Sequence, residues 1–321
     1  MASGASTLCV IFNHPYIGNI PIIGEAVGQR FDEIVFVVPN TRVDDPSVIT
    51  SYRASYNFHG MIVDACEKLL SSNSEYFFFL QDDVLLNPRF SGQQWVELLK
   101  LEDGGAFFPD AYPLGGDIPH WLWTAGFVWK TAHPKNPFSG SGIENWKSLL
   151  PDADMAFRDL KAKYQLQFHP FTYDRTKPVK EGLAVNEAKA SNAIVCSILE
   201  GLFVANGGKP IDLGFPFMFG VSDFFAVNRQ TLIKMSHMLG VLSAMQTFVE
   251  IAIPTALFVT ADRVHRSADV GLKADWYGPR NGDTIDVEAA LNAFDKDLLL
   301  LHPVKVSKSE REFRKVFSHY D

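Results

Sequence analysis

The 321-residue sequence contains little cysteine and no excess of positive charge. Its three cysteines, Cys9, Cys66 and Cys196, are widely separated, which suits neither a disulfide framework nor a zinc cluster. We expect small buried thiols at these positions. Lys and Arg total 29 against 37 Asp and Glu, for a net charge of -8. This acidic balance argues against nonspecific binding to nucleic acid, and we expect no nucleic-acid partner.

Targeting and membrane signals are also missing. No cationic segment followed by a long apolar run begins the sequence, and no Asn-x-Ser/Thr site occurs, which favours a cytoplasmic location. The apolar stretch 239–261 contains Glu250, and a carboxylate near the centre of a membrane span costs about 2.5–3.5 kcal/mol. We therefore expect no integral membrane segment. The pattern predicts a buried helix that breaks before Pro254, followed by a strand-like run at 256–259.

Apolar runs separated by helical patterns dominate the first third of the chain. The runs 8–12, 34–38 and 76–80 are typical of strands buried on both faces. Segments 21–30 and 57–70 between them have the composition or periodicity of helices. This βαβαβ order predicts an α/β fold with a Rossmann-like, mostly parallel central sheet flanked by helices.

Polar residues follow each predicted strand, at 13–14, 39–40 and 81–83. Parallel sheets bind ligands beyond the carboxyl ends of their strands, so a site is expected at this edge. No GxGxxG sequence follows the first strand, and no GxxxxGK[ST] loop occurs in the chain. A dinucleotide-binding domain and a P-loop nucleotide site therefore have little support.

Two adjacent carboxylates, Asp82 and Asp83, follow the third apolar strand directly. They repel each other unless a cation is present, and a divalent ion that bridges to diphosphate oxygens removes this penalty. Because side chains alternate along a strand, Gln81 and Asp83 share one face and Asp82 points away. We expect Asp83 to ligate the metal, and Asp82 to hold a ribose hydroxyl, a metal-bound water or a backbone group. A solvated turn before Asn87 is the alternative.

This segment and the strands before it resemble a nucleotide-sugar-dependent glycosyltransferase of the GT-A fold, in which a DxD-type motif holds Mn²⁺ or Mg²⁺ against the diphosphate. Gln81 replaces the first acidic residue of that motif. Three later segments also resemble GT-A enzymes in their order along the chain, at 220–227, 248–255 and 302–305. The resemblance implies a nucleotide-sugar-binding half at 1–105. An acceptor-binding and catalytic half of the same compact domain is implied at 106–321.

The resemblance also implies roles for single residues. Glu250, in an apolar helical pattern, is the candidate general base, and Asp223 is its rival or a group that orients the acceptor. His302 is a second candidate metal ligand, and Lys305 is placed to neutralise phosphate charge. Each also has an ordinary structural explanation, such as a helix cap, a local turn, a satisfied histidine or a solvated lysine.

The remaining candidates are weaker. Asn13 and His14 at the first strand end and Asn40 at the second are candidate contacts to the base or ribose, and Arg53 is a candidate phosphate contact. Turn-forming Asn is, however, common without any ligand. The indoles of Trp121, Trp123 and Trp129 are suited to stacking on an acceptor saccharide, although core packing is the favoured explanation for each.

Together these features predict a metal-assisted glycosyltransferase. It would move a sugar from a nucleotide-diphosphate donor, expected to be a UDP-sugar, to a hydroxyl of a saccharide or glycan acceptor, with inversion. Two alternatives stay open. A sugar nucleotidyltransferase also binds metal and nucleotide beyond a parallel sheet, but the glycine- and basic-rich loop expected after its first strand is missing. The other alternative is a non-catalytic carbohydrate-binding protein on a degenerate transferase fold.

Overall fold

The structure is a computed structural model that describes residues 4–115, 127, 146–172, 197, 200–201, 203–275, 280–281 and 284–321. Its contacts divide the chain into two compact units. Unit 1 consists of residues 1–110, 221–239 and 260–321, and unit 2 consists of residues 111–220 and 240–259. The predicted first half, 1–105, lies in unit 1, while the predicted second half, 106–321, contributes to both units.

Short strands and helices alternate along the chain. The strands are β1 (Ser6–Ile11), β2 (Glu33–Pro39), β3 (Val48–Ser51), β4 (Tyr76–Gln81), β5 (Leu85–Leu86), β6 (Gly105–Phe107), β7 (Tyr112–Pro113), β8 (Met218–Phe219), β9 (Phe224–Asn228), β10 (Arg263–His265), β11 (Lys273–Asp275), β12 (Arg280–Asn281), β13 (Thr284–Ile285) and β14 (Leu298–Leu301). The described helices are α1 (Asn19–Val27), α2 (Phe58–Ser71), α3 (Gly92–Leu98), α4 (Leu101–Gly104), α5 (Ala153–Tyr164), α6 (Arg229–Ala244), α7 (Val249–Thr260), α8 (Ser267–Val270), α9 (Val287–Phe294) and α10 (Glu310–Ser318). Short 3₁₀ turns cover Ser55–Asn57, Trp146–Leu149 and Val306–Lys308.

A seven-stranded sheet in the order β10-β6-β9-β4-β1-β2-β3 forms the centre of unit 1. Strands β4, β1, β2 and β3 are parallel to one another, and β10 is parallel to β6. Strand β9 runs antiparallel to both of its neighbours, β4 and β6. Six of the seven strands therefore point the same way, which confirms the predicted α/β class with a mostly parallel sheet.

Continuous apolar sequence explains why β1, β2 and β4 are interior strands of this sheet, each with a neighbour on both sides. Leu8, Cys9 and Val10 are all fully buried, so β1 is covered on both faces as its unbroken hydrophobic run predicts. Phe79 of β4 stacks on Phe225 of β9, with ring centroids 4.6 Å apart. Phenylalanine side chains of neighbouring strands thus pack on one another in the core.

A smaller sheet in unit 1 joins sequence-distant segments. Its order is β11-β14-β5, with β14 antiparallel to β5 and parallel to β11. Leu301 faces Leu85 in this register. Because β5 begins two residues after Asp83, this antiparallel pairing carries the residues that follow β14 back towards the end of β4.

Unit 2 is built around helix α7 and short strands. Strands β7 and β8 pair in an antiparallel manner, and Phe171 forms an isolated bridge with Ile211. Helix α5 is capped at its start by Asp152, whose carboxylate accepts a hydrogen bond from the backbone N–H of Met155 at 2.8 Å. The Tyr164 ring at the end of α5 packs against Phe258 of α7, with centroids 5.0 Å apart.

The prediction that the helix ends before Pro254 was wrong, because α7 continues through this residue to Thr260. Proline has no N–H to donate to the carbonyl four residues earlier, which here belongs to Glu250. The backbone N–H of Gly220 donates to that carbonyl instead, at 2.9 Å. The freed acceptor is thus satisfied from outside the helix. In the described residues, no helix is both long and apolar enough to cross a membrane.

Thr255 makes a second link between α7 and β8. Its Oγ1 accepts a hydrogen bond from the buried backbone N–H of Met218 at 2.9 Å. Thr255→Val keeps the side-chain shape but leaves this N–H without its acceptor, so we expect a loss of about 1–3 kcal/mol in the free energy of unfolding. Urea denaturation measures the change, and Thr255→Ser, which keeps the hydroxyl, should retain most of the stability. A loss in Thr255→Ser without a loss in Thr255→Val would show that the methyl group matters instead of the hydroxyl.

Candidate functional site

Polar residues from four parts of the chain meet at the carboxyl edge of the large sheet in unit 1. Asn13 follows β1, and Gln81 ends β4. Asp223 precedes β9, and because β9 is antiparallel, its first residues lie at the same edge. The Asp83 cluster, as we call it, consists of Asn13, Gln81, Asp82, Asp83, Asp223, His302 and Lys305.

Backbone hydrogen bonds fix the C-terminal segment against Asp83. After β14, the backbone N–H of His302 donates to the carbonyl of Asp275 at 3.1 Å. The His302–Pro303 peptide bond is cis. The backbone N–H of Val304 then donates to the carbonyl of Asp83 at 2.6 Å. His302 and Lys305 therefore flank the acidic segment on a chain that is itself anchored to it.

The imidazole of His302 lies between two carboxylates. Its Nε2 is 3.5 Å from Asp83 Oδ1, and its Nδ1 is 3.7 Å from Asp223 Oδ2. The Lys305 ammonium is 3.8 Å from the other oxygen of Asp83, with more than half of its side chain exposed to solvent. Asp83 therefore contacts an imidazole on one oxygen and a cation on the other.

Burial raises the pKa of the two more enclosed carboxylates, Asp82 and Asp223. Burial raises the pKa of Asp82 to about 7, and the charge of Asp83 adds to the rise, while a hydrogen bond from the Asn13 backbone opposes it. Burial likewise raises the pKa of Asp223 to about 6, although the adjacent His302 opposes this rise. Asp223 therefore has the proton affinity of a general base that works near neutral pH.

The donor set at Asp83 is suited to a divalent ion that also binds phosphate. Among the residues that the structure describes, no group of three or more His, Cys, Asp or Glu side chains has the arrangement of a metal site. Asp83 Oδ1 and His302 Nε2 nevertheless lie 3.5 Å apart. Neighbouring ligands of an octahedral ion with bonds of about 2.1 Å are separated by roughly 3 Å. Mg²⁺-type ions commonly use one or two protein ligands and complete their shell with water and substrate phosphates.

The other predicted nucleotide contacts follow neighbouring strands but have local partners. His14 is exposed, and its ring lies 5.4 Å from that of Tyr16. Asn40, after β2, adopts a left-handed backbone conformation with φ of 53°. Arg53, after β3, forms an ion pair with Asp64 through two nitrogens, at 2.9 and 3.0 Å. The left-handed turn gives Asn40 a structural role in its loop, and the ion pair gives Arg53 one.

Glu250 belongs to unit 2 and lies in the first turn of α7, with 9% of its surface exposed. A carboxylate in the first turn of a helix is stabilised by the helix dipole, which gives Glu250 a structural reason for its position.

Cys9 and Cys66 are free thiols, Cys9 buried and Cys66 partly buried. Trp121, Trp123, Trp129 and Cys196 lie outside the described residues, so their predicted roles stay predictions.

Comparison with known proteins does not place this geometry in a family. No protein-family model matches the chain, and no curated protein matches it at a significant level. Function is therefore inferred from the chemistry of the Asp83 cluster.

Gln81 is the residue of the cluster that the sequence did not single out as functional. Its Oε1 accepts a hydrogen bond from Asn13 Nδ2 at 2.6 Å, and its side chain also hydrogen-bonds Asp223. The signal for it was the strand alternation, which places Gln81 and Asp83 on one face. Asn13 Nδ2 does contact both Gln81 and Asp83, whereas Asp82 Oδ1 accepts from the Asn13 backbone.

Proposed function

We propose that this protein is a GT-A-like glycosyltransferase that moves a sugar from a nucleotide-diphosphate donor, expected to be a UDP-sugar, to a saccharide hydroxyl. The observation that carries the proposal is the contact of Asp83 with both His302 and Lys305 at the carboxyl edge of the sheet. A carboxylate, an imidazole and an ammonium group at one point are suited to a diphosphate with its divalent counterion. Open α/β sheets bind their ligands at this edge.

Each residue of the cluster then has a distinct task. Asp83 and His302 would hold Mn²⁺ or Mg²⁺, and the bound ion would offset the charge that develops on the departing diphosphate. Lys305 supplies an exposed positive charge beside the same carboxylate, where it can contact a phosphate oxygen. Asp82 lies deeper and anchors the loop after β1 through the Asn13 backbone.

A general base is needed to take the proton from the acceptor hydroxyl during an inverting transfer. Asp223 has two features that favour it for this role: a position beside His302 and a pKa raised to about 6. Glu250, the base favoured by the sequence, belongs to the other unit and remains the alternative candidate. Single variants of the two carboxylates distinguish them.

Thermal unfolding with sugar nucleotides tests donor binding directly. A ligand present at about 100 times its Kd stabilises the folded state by about 2.7 kcal/mol, so a UDP-sugar with Mn²⁺ is expected to raise Tm clearly. The same nucleotide without metal should give a smaller shift, because Asp83 then repels the diphosphate. Lys305→Ala should reduce the Tm shift that the UDP-sugar gives, because it removes the positive charge beside Asp83. Equal Tm values with and without every sugar nucleotide tested would contradict the proposal.

Product analysis separates the alternatives. A glycosyltransferase releases the nucleoside diphosphate when a saccharide acceptor is added. A sugar nucleotidyltransferase instead releases pyrophosphate from a nucleoside triphosphate and a sugar phosphate. A non-catalytic carbohydrate-binding protein would bind saccharides without consuming the donor in any of these mixtures.

A further inference from the structure

Asn13 uses all three of its hydrogen-bond donor hydrogens on three consecutive residues of the acidic segment. Its backbone N–H donates to Asp82 Oδ1 at 2.9 Å. Its side-chain Nδ2, which carries two hydrogens, donates to Gln81 Oε1 at 2.6 Å and to Asp83 Oδ1 at 3.4 Å. The donors of this one residue thus match the acceptors of the segment one for one.

Gln81 extends this network to Asp223. Because its Oε1 accepts from Asn13, the amide hydrogens of Gln81 remain to donate to the Asp223 carboxylate, with which its side chain is hydrogen-bonded. The backbone N–H of Gln81 also donates to the Asp223 carbonyl, at 2.9 Å. A carboxylate at position 81 would accept from Asn13 but would repel Asp223. The amide explains why a glutamine occupies the place of an acidic residue.

The network also addresses an electrostatic problem. Asp82, Asp83 and Asp223 are three carboxylates in a small, partly buried region, and the charge of Asp83 repels those of Asp82 and Asp223. Hydrogen bonds from a neutral amide hold such oxygens in place without adding a competing cation. The Asp83 oxygen that faces His302 Nε2 is the one that Asn13 contacts.

We propose that Asn13 is a positioning residue that, together with Gln81, fixes the Asp83 carboxylate in the orientation needed to bind a divalent ion. This inference rests on the proposed function, because it assigns the metal to Asp83 and His302. Both side-chain amide hydrogens of Asn13 are used within the protein, so the nucleotide contact that the sequence predicts would have to be made through its Oδ1. Groups that orient metal ligands typically contribute 10- to 100-fold to metal affinity.

The test is Mn²⁺ binding in the presence of UDP, measured by electron paramagnetic resonance of the free ion. Asn13→Ala is expected to weaken Mn²⁺ binding by about 10- to 100-fold while Tm stays close to that of the wild type. Gln81→Ala should weaken it as well, and the double variant should lose less than the product of the two single effects, because both act through one network. Asn73→Ala, an exposed asparagine at the opposite edge of the same sheet, is the matched control and should bind as the wild type does.

The outcomes separate this inference from the proposed function. Mn²⁺ affinity within threefold of the wild type in Asn13→Ala, together with loss of binding in Asp83→Ala, would overturn the positioning role alone. Equal Mn²⁺ binding by the wild type and Asp83→Ala would overturn both proposals. A folding defect is recognised by Tm. In that case Asn13→Ser, which retains one side-chain donor, is expected to bind Mn²⁺ more tightly than Asn13→Ala, and equal affinities would contradict the inference.

Discussion

Asp83→Ala is expected to lower the rate of sugar transfer by at least about 10³-fold, because it removes the carboxylate that joins His302 and Lys305. A bound metal ion contributes several kcal/mol of transition-state stabilisation, and each 1.36 kcal/mol corresponds to about a tenfold change in rate. The backbone carbonyl of residue 83 keeps its bond to Val304, so the fold should survive. Steady-state transfer from a UDP-sugar with Mn²⁺ measures the loss, and circular dichroism checks the fold.

Asp297→Ala is the matched control for this prediction. Asp297 also lies in unit 1, but it forms an exposed ion pair with Lys273 at 2.5 Å. Exposed pairs of this kind contribute about 0–1 kcal/mol to stability, so this variant should transfer sugar normally. Normal turnover by Asp83→Ala with Mn²⁺ present would defeat the assignment of the site.

Asp223→Asn is expected to lower kcat by about 10²–10⁴-fold, the usual contribution of a positioned general base. Asparagine keeps the shape and still accepts the Gln81 hydrogen bond, but it cannot take up a proton. Below a pH of about 6 the Asp223 carboxyl of the wild type is protonated, so its activity should fall as the pH decreases through 6. The small residual activity of Asp223→Asn should lack this acidic limb. Rate profiles between about pH 5 and 8 record both effects.

Glu250→Gln provides the comparison that can reverse this assignment. If Asp223 is the base, Glu250→Gln should keep the acidic limb and most of the wild-type kcat. If Glu250→Gln loses the acidic limb and most of its kcat, while Asp223→Asn turns over almost normally, Glu250 is the base and Asp223 is an orienting group.

The centre of the fold could be predicted because its signals are local. Strands β1, β2 and β4 are unbroken apolar runs, and such runs have few alternatives to a strand buried on both faces. Helix α2 was predicted at 57–70 and spans Phe58–Ser71, with its periodic residues, including Met61 and Ala65, buried. Here each local pattern agrees with the tertiary structure.

The edges of the sheet could not be predicted in this way. Strands β6 and β10 have three residues each, too few to show a pattern, and they become strands only because neighbours offer backbone partners. The direction of β9 is set by pairing with β4 and β6 and not by its own sequence. The position of Asp223 at the carboxyl edge of the parallel strands depends on that direction.

At Pro254 a strong signal in the local sequence was wrong, because a tertiary contact allows the helix to continue. The rule that proline ends a helix rests on a missing donor, and here the deprived carbonyl of Glu250 finds its donor in Gly220. Gly220 is distant in sequence, so no window around Pro254 contains the information. The contact between His302 and Asp83 was expected from resemblance alone, and its physical cause is the pairing of β14 with β5.

The pairing of β14 with β5 has a consequence for biosynthesis. Ribosomes release the N-terminal part of a chain first. Asp83 therefore leaves the exit tunnel long before His302 and Lys305 are translated. A nascent chain that ends before His302 has the acidic segment without its cationic partners. Any product of premature termination upstream of β14 would lack the His302 and Lys305 side chains of the Asp83 cluster even if its central strands were already formed.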